Sequence, residues 1–127
     1  MEQIVTHQKP VVLVIDDDEL VRWNAVDILA DHGFAIEEAD CVEGAIRILE
    51  SHPDIQLVFT DIQMPGAIDG LELAHRVHRR WPHIRVVVTS GRLRPASSEM
   101  PDGGSFIAKP YGSERLVTEI NHMLEVA

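Results

Sequence analysis

The chain has one cysteine, Cys41, in 127 residues. That excludes a disulfide framework and a thiolate zinc site, and makes a reduced, cytoplasmic setting the expectation. Aromatic residues are only 5% of the sequence, so a core has to be built from Val, Ile, Leu and Ala. Positive charge is also scarce. Eleven Lys and Arg stand against 21 acids, giving a net charge of −10. Such a balance repels phosphate backbones and argues against a nucleic-acid surface. No apolar run approaches the ~20 residues that span a bilayer, and Met1-Glu2-Gln3 opens no signal-like segment, so no membrane contact or processing is expected. No Gly-x-x-x-x-Gly-Lys-Ser/Thr loop and no Gly-x-Gly-x-x-Gly follows any strand-like run, which speaks against a nucleotide-binding module.

Hydrophobic residues make up 45% of the chain, enough for one domain with a real core. Residues 1–9 are polar and read as a loose lead-in. Val11-Val12-Leu13-Val14-Ile15 is unbroken and β-branched, as in a strand covered on both faces of a parallel sheet. After Asp16-Asp17-Asp18-Glu19, a helical stripe runs through Val21, Ala25, Ile28 and Leu29, and Gly33 suits its left-handed end. Phe34-Ala35-Ile36 is a weak second strand. Val42, Ala45, Ile46 and Leu49 form the next stripe, which His52-Pro53 ends. Ile55 to Phe59 is a third strand, leading to Asp61 and a Pro65-Gly66 turn. Leu73, Ala74, Val77 and Trp81 mark a third helix. Ile84 to Val88 is a fourth strand, ending in Thr89-Ser90-Gly91. Pro95, Pro101, Gly103 and Gly104 leave residues 92–104 at most a short or distorted helix. Phe106-Ile107-Ala108 is a fifth strand before Lys109-Pro110. Leu116, Val117, Ile120, Met123 and Leu124 make a last helical stripe.

Strands alternating with helices imply right-handed crossovers and a doubly wound parallel α/β sheet in three layers. Ligands bind such sheets outside the carboxyl ends of the strands. Those ends carry Asp16 and Asp17, Asp61, Thr89 and Lys109. Carboxylates gathered in one crevice raise one another's pKa unless a cation intervenes. Oxygen-only ligands favour a hard ion, here Mg²⁺ or Mn²⁺. Lys109 adds a fixed positive charge and Thr89 a small hydroxyl. An Asp in that company is a sensible nucleophile for phosphoryl transfer.

These residues, in this order, resemble a receiver domain of two-component signalling, the response-regulator family with a flavodoxin-like five-stranded fold. The resemblance runs from Val11 to about Val126. Its elements are Asp16-Asp17 after the first strand, Asp61 within Asp61-Ile62-Gln63-Met64-Pro65-Gly66, Thr89, Lys109-Pro110, and Asp69-Gly70-Leu71-Glu72-Leu73 opening the third helix. It implies that Asp61 is the phosphoacceptor. The metal would take Asp17, Asp61 and the backbone carbonyl of Gln63, with Asp16 acting through water. It further implies a switch made by Thr89 and Phe106, and a cis peptide before Pro110. Donors would be a histidine kinase or a histidine phosphotransfer protein. Phosphorylation would change the face made by the last two strand–helix units for a downstream protein, in a monomer or a phosphorylation-dependent dimer. The chain departs from the family in three places. Loop 64–70 is one residue longer than usual, Phe106 lacks the hydroxyl of the common Tyr, and residues 92–104 make a poor fourth helix.

Each residue alone also has an ordinary reading. Acids cap helices, and that is the main reading for Asp18. Thr89 is preferred over Ser90 because it directly follows the apolar run. Glu72, His75 and His78, three residues apart on one helix, and Arg76, Arg79 and Arg80 beside them, read as a solvated face. Cys41 reads as a small residue near a helix start, and periodicity does not decide whether Trp23 is buried. With no segment after the last stripe, a stand-alone receiver is expected, or one excised from a hybrid kinase or longer regulator. The alternative is a Mg²⁺-dependent phosphatase with an aspartyl nucleophile. That chemistry puts a second Asp two residues on, where this chain has Gln63; self-phosphorylation without turnover of other substrates is therefore the expectation.

Overall fold

The structure is a computed structural model that describes residues 9–125; all but Lys9 of the expected lead-in lies outside that range. Five parallel strands form one sheet: β1 (Val11–Ile15), β2 (Ala35–Ala39), β3 (Ile55–Asp61), β4 (Arg85–Ser90) and β5 (Ser105–Ala108), in the order β2-β1-β3-β4-β5. Four helices accompany them: α1 (Glu19–Asp31), α2 (Val42–Ser51), α3 (Gly70–Arg80) and α4 (Ser113–Glu125). None is long and apolar enough to cross a membrane.

Because strand side chains alternate, the apolar runs feed two cores. Val12, Val14, Leu57, Phe59, Val87 and Ile107 pack with residues of α1 and α4 on one face. Leu13, Ile15, Val58, Val86 and Val88 pack with residues of α2 and α3 on the other. This is why β1, β3 and β4 read as continuous hydrophobic runs.

Helix starts follow their capping chemistry. Asp18 Oδ1 accepts from the amides of Leu20 and Val21 at 3.0 and 3.1 Å, and Asp69 Oδ1 from that of Glu72 at 2.9 Å. Cys41 stands at the same position before α2, its Sγ 3.4 Å from the Gly44 amide. Gly33 takes φ 92° just beyond α1, a region costly for any residue with a Cβ. Trp23 is 48% exposed.

One expectation needs adjustment and another is met. β2 is longer than Phe34–Ile36 and runs through Glu37 and Glu38. It is an edge strand, where charged side chains reach water without breaking a ladder. The fourth crossover holds no α-helix, only a 3-10 turn at Ser97–Glu99. Proline and Gly103 (φ 78°) interrupt it. It is pinned instead by side chains. His75 Nε2–H donates to the Glu99 carbonyl at 2.7 Å, Glu99 Oε1 accepts from the Ala96 amide at 2.7 Å, and Met100 packs on the α2/α3 core.

Leu57 is fully buried in the central strand, and Leu20 is 74% exposed. Leu57→Ala is expected to lower the unfolding free energy by about 2–5 kcal/mol, and Leu20→Ala by less than about 0.5 kcal/mol, both measured by urea denaturation.

Candidate functional site

The strand order reverses between β1 and β3, which opens a crevice at their carboxyl ends. Alternation along each strand decides what enters it. Val12 and Val14 are followed by Asp16, Leu57 and Phe59 by Asp61, Val87 by Thr89, and Ile107 by Lys109. Each of these four strands thus ends by replacing a residue of the α1/α4 core with a polar or charged one. The same parity puts Ser90 with Val86 and Val88, toward the α2/α3 side, and Thr89 on the side of Asp61.

Asp16 and Asp61 are 4% and 7% exposed. Lys109 Nζ lies 3.1 Å from Asp16 Oδ2 and 3.3 Å from Asp61 Oδ2. Asp17 is exposed. Its carboxylate, with those of Asp16 and Asp61, offers one oxygen each within 4.8 Å of one another. Among the described residues no other group of three His, Cys, Asp or Glu converges in this way. His75 and His78 belong to no such group, and the three arginines of α3 pair with Glu72 and Glu50. Thr89 Oγ1 is buried, with no hydrogen-bond partner among the described residues, so it is a donor awaiting an acceptor.

Burial pushes the Asp61 carboxyl above its ordinary range. Lys109 pulls it back, and Asp16 pushes it up again. Burial lowers Lys109, but Asp16 and Asp61 together hold its ammonium above the usual lysine value. Tyr111 stands on the wall of the crevice, packed edge-on against Phe59 at 5.7 Å. Burial and then the charges of Asp16 and Asp61 push its phenol up to about 12, so it stays neutral.

The backbone is fixed around these groups. Asp16 Oδ1 accepts from the Asp18 amide at 2.9 Å, and Arg22 Nη1 donates to the Asp16 carbonyl at 2.9 Å while its Nε holds Glu38 at 2.8 Å. Asp61 Oδ1 accepts from the Gln63 amide at 3.3 Å. The Lys109-Pro110 peptide is cis, as the resemblance implied, and the Lys109 amide donates to Ser90 O at 3.0 Å. Gly70 closes the loop from below: its amide donates to Ile62 O at 2.8 Å. A Cβ there would fall inside the van der Waals radius of the Asp61 carbonyl oxygen. Phe106 is partly buried against the α2/α3 core with the Arg94 guanidinium 5.3 Å over its ring. Sequence reasoning missed Tyr111, Arg22 and the role of Ser90. The period-two parity of the strands was the available signal for Ser90, whereas Arg22 and Tyr111 carry no local mark.

Fold and rim together define a flavodoxin-like α/β domain with an acidic, cation-type pocket at its carboxyl edge. The chain belongs to the response regulator receiver family: the family's model, "Response regulator receiver domain", matches residues 12–121. It is 32% identical to "Response regulator receiver protein CpdR" of Brucella abortus (strain 2308), over 91% of this chain and 98% of that one. It is 33% identical to "Nitrogen assimilation regulatory protein NtrX" of Azorhizobium caulinodans, over 90% of this chain and 26% of that one. The chain thus spans about a quarter of that relative's length. Among solved structures, a response regulator receiver domain protein from Clostridium thermocellum superposes with TM-score 0.83 at 26% identity, covering 91% of this chain and 94% of that one. Receiver domains of this family are phosphorylation-gated signalling switches, and the chain is one of that class.

Two consequences are measurable. The folded-state pKa of Asp61 is raised. The folded state therefore binds the proton more tightly than the unfolded state, and stability is lost as pH rises above the ordinary 3.8 toward the folded value. Asp61→Asn removes that loss. In metal-free buffer its melting temperature should exceed the parent's at neutral pH, with a gap that narrows as pH falls. Gly70→Ala should cost about 1–3 kcal/mol through overpacking against the Asp61 carbonyl, seen as a lower urea midpoint.

Proposed function

We propose that Asp61 is the residue phosphorylated, with a histidine kinase or histidine phosphotransfer protein as donor and Mg²⁺ or Mn²⁺ as the ion. The observation that carries this is the convergence of three carboxylates within 4.8 Å on a site that also holds Lys109, 3.3 Å from Asp61, and an unpartnered Thr89 hydroxyl. An all-oxygen donor set suits a hard divalent ion. Asp17, Asp61 and the Gln63 carbonyl would hold it, with Asp16 acting through water. When bound, the ion neutralises charge on the transferring phosphoryl oxygens.

The chain's own residues do the rest. An Asp61 carboxylate oxygen attacks phosphorus. The new O–P bond forms as the P–N bond to the donor's imidazole breaks; its electron pair goes to the nitrogen, which takes up a proton. Lys109 holds Asp61 and Asp16 beforehand, and afterwards offers its N–H groups to a phosphoryl oxygen. The Thr89 hydroxyl gains in that oxygen the acceptor it lacks. Drawing Thr89 inward shifts the end of β4, whose Val88 is the register neighbour of Phe106 on the α2/α3 side. The ring turns in and the outer face of β4 and β5 is remodelled for a downstream protein. The product remains on the protein, and Gln63 stands where an aspartyl phosphatase would place its second acid. The chain therefore acts as a switch and turns over no other substrate. The reading holds equally for a stand-alone receiver and for one within a longer protein.

Acetyl phosphate with Mg²⁺ should add the mass of one phosphoryl group. Asp61→Asn or EDTA should abolish the adduct, and Thr89→Ala should reduce its rate of formation by roughly tenfold or more, as for loss of one stabilising donor. A full adduct on Asp61→Asn sinks the assignment.

A further inference from the structure

Arg22 stands near the start of α1, yet its side chain is only 12% exposed. Taking a guanidinium that far out of water is costly unless its N–H groups find fixed acceptors. It has two, on different parts of the chain. Nη1 donates to the Asp16 carbonyl at 2.9 Å, and Nε donates to Glu38 Oε1 at 2.8 Å. Asp16 lies just past the β1 ladder, since Ile15 is the last residue to pair with β2 and β3. Its amide still reaches the Ala39 carbonyl at 3.2 Å. Its carbonyl has run beyond the strand partners, and Arg22 supplies the donor that a neighbouring strand no longer can. The peptide that joins Asp16 to Asp17 is thereby fixed, and Glu38 moors the group that fixes it to β2. Asp17 depends on this. It is exposed, and among the described residues no side-chain hydrogen bond or ion pair holds its carboxylate. The backbone alone decides where that carboxylate stands.

The structure assigns to Arg22 the role of a positioning residue for the acidic pair: by holding the Asp16 carbonyl it sets where Asp17 presents its oxygen to a divalent ion. This rests on the reading of Asp16, Asp17 and Asp61 as the ion site. Arg22 is itself a cation, and its charge alone works against binding another one. Glu38 offsets that charge by pairing with it, so what reaches the acids is a hydrogen bond with little net charge. Charge and position therefore predict opposite signs. If Arg22 acted by its charge, losing it would tighten ion binding. If it acts by position, losing it loosens ion binding, because contacts that orient metal ligands are typically worth about 10–100-fold in affinity.

The test is Mn²⁺ binding to the full chain by isothermal titration calorimetry, with urea midpoints measured in parallel. Arg22→Met should weaken Mn²⁺ binding about tenfold. Arg22→Lys keeps the charge but lacks the planar fork that spans two acceptors, and should lose nearly as much. Glu38→Ala, at a 43% exposed side chain on an edge strand, leaves the core untouched. It should weaken binding by less, and should cost nothing further when added to Arg22→Met. Acetyl phosphate adds a kinetic readout. The adduct on Arg22→Met should form slowly at limiting Mn²⁺ and approach the parent's rate as Mn²⁺ is raised. Unchanged or tighter binding in Arg22→Met overturns the role, even where its urea midpoint falls, since Arg22 is then a stabilising contact only. A full further loss on adding Glu38→Ala, or an adduct that stays slow at saturating Mn²⁺, overturns it too. If Arg22→Met does not fold, Arg22→Lys and Glu38→Ala decide, and parent affinity in both overturns the role. Absence of Mn²⁺ binding by the parent overturns the ion site itself and the positioning with it.

Discussion

Two nearly buried carboxylates share one ammonium. Asp16 and Asp61 face Lys109 at 3.1 and 3.3 Å, and each contact is worth about 5 kcal/mol of raw attraction at an effective dielectric near 20. Desolvation consumes much of that. Two carboxylates still face one ammonium, and Asp17 adds a third from the solvent side. The arrangement is stable enough to preform and unbalanced enough to demand more positive charge. Neither property would survive if any of the three side chains faced the other way.

That direction is set by the simplest regularity in the molecule. Four strands carry apolar residues at alternate positions into the α1/α4 core, and each continues the alternation for one further step with a polar residue. The core thus aims the site. The packing that buries Leu57 and Phe59 also fixes the orientation of Asp61, so the geometry of the crevice and the stability of the fold rest on the same register.

This explains what was legible. Unbroken runs such as Val11–Ile15 declared a sheet covered on both sides, and the polar residues at their ends declared the rim. Capping residues announced their helices because the interaction is local: Asp18 reaches amides two and three residues on. Less legible were features that depend on what lies across the fold. Glu37 and Glu38 are strand residues only because β2 has an open edge. The path of residues 92–104 is held by His75 of α3 and by Ser90, neither predictable from the segment itself. Tyr111 shows no sequence sign of facing two carboxylates, since what perturbs it comes from other strands.

The loop after Asp61 is bracketed by two fixed points. At one end, the Ile62 amide is bound to the Thr89 carbonyl at 2.9 Å; at the other, the Gly70 amide is bound to the Ile62 carbonyl, with no room for a side chain. Chain between them, residues 63–69, can lengthen without moving either point, because closing a slightly longer loop costs only a few tenths of a kcal/mol. Gly66, with its φ of 106°, turns the chain there. Added length would thus be channelled outward into the mouth of the crevice. That makes this loop the place where evolution can reshape what approaches Asp61 while leaving Asp61 itself in register.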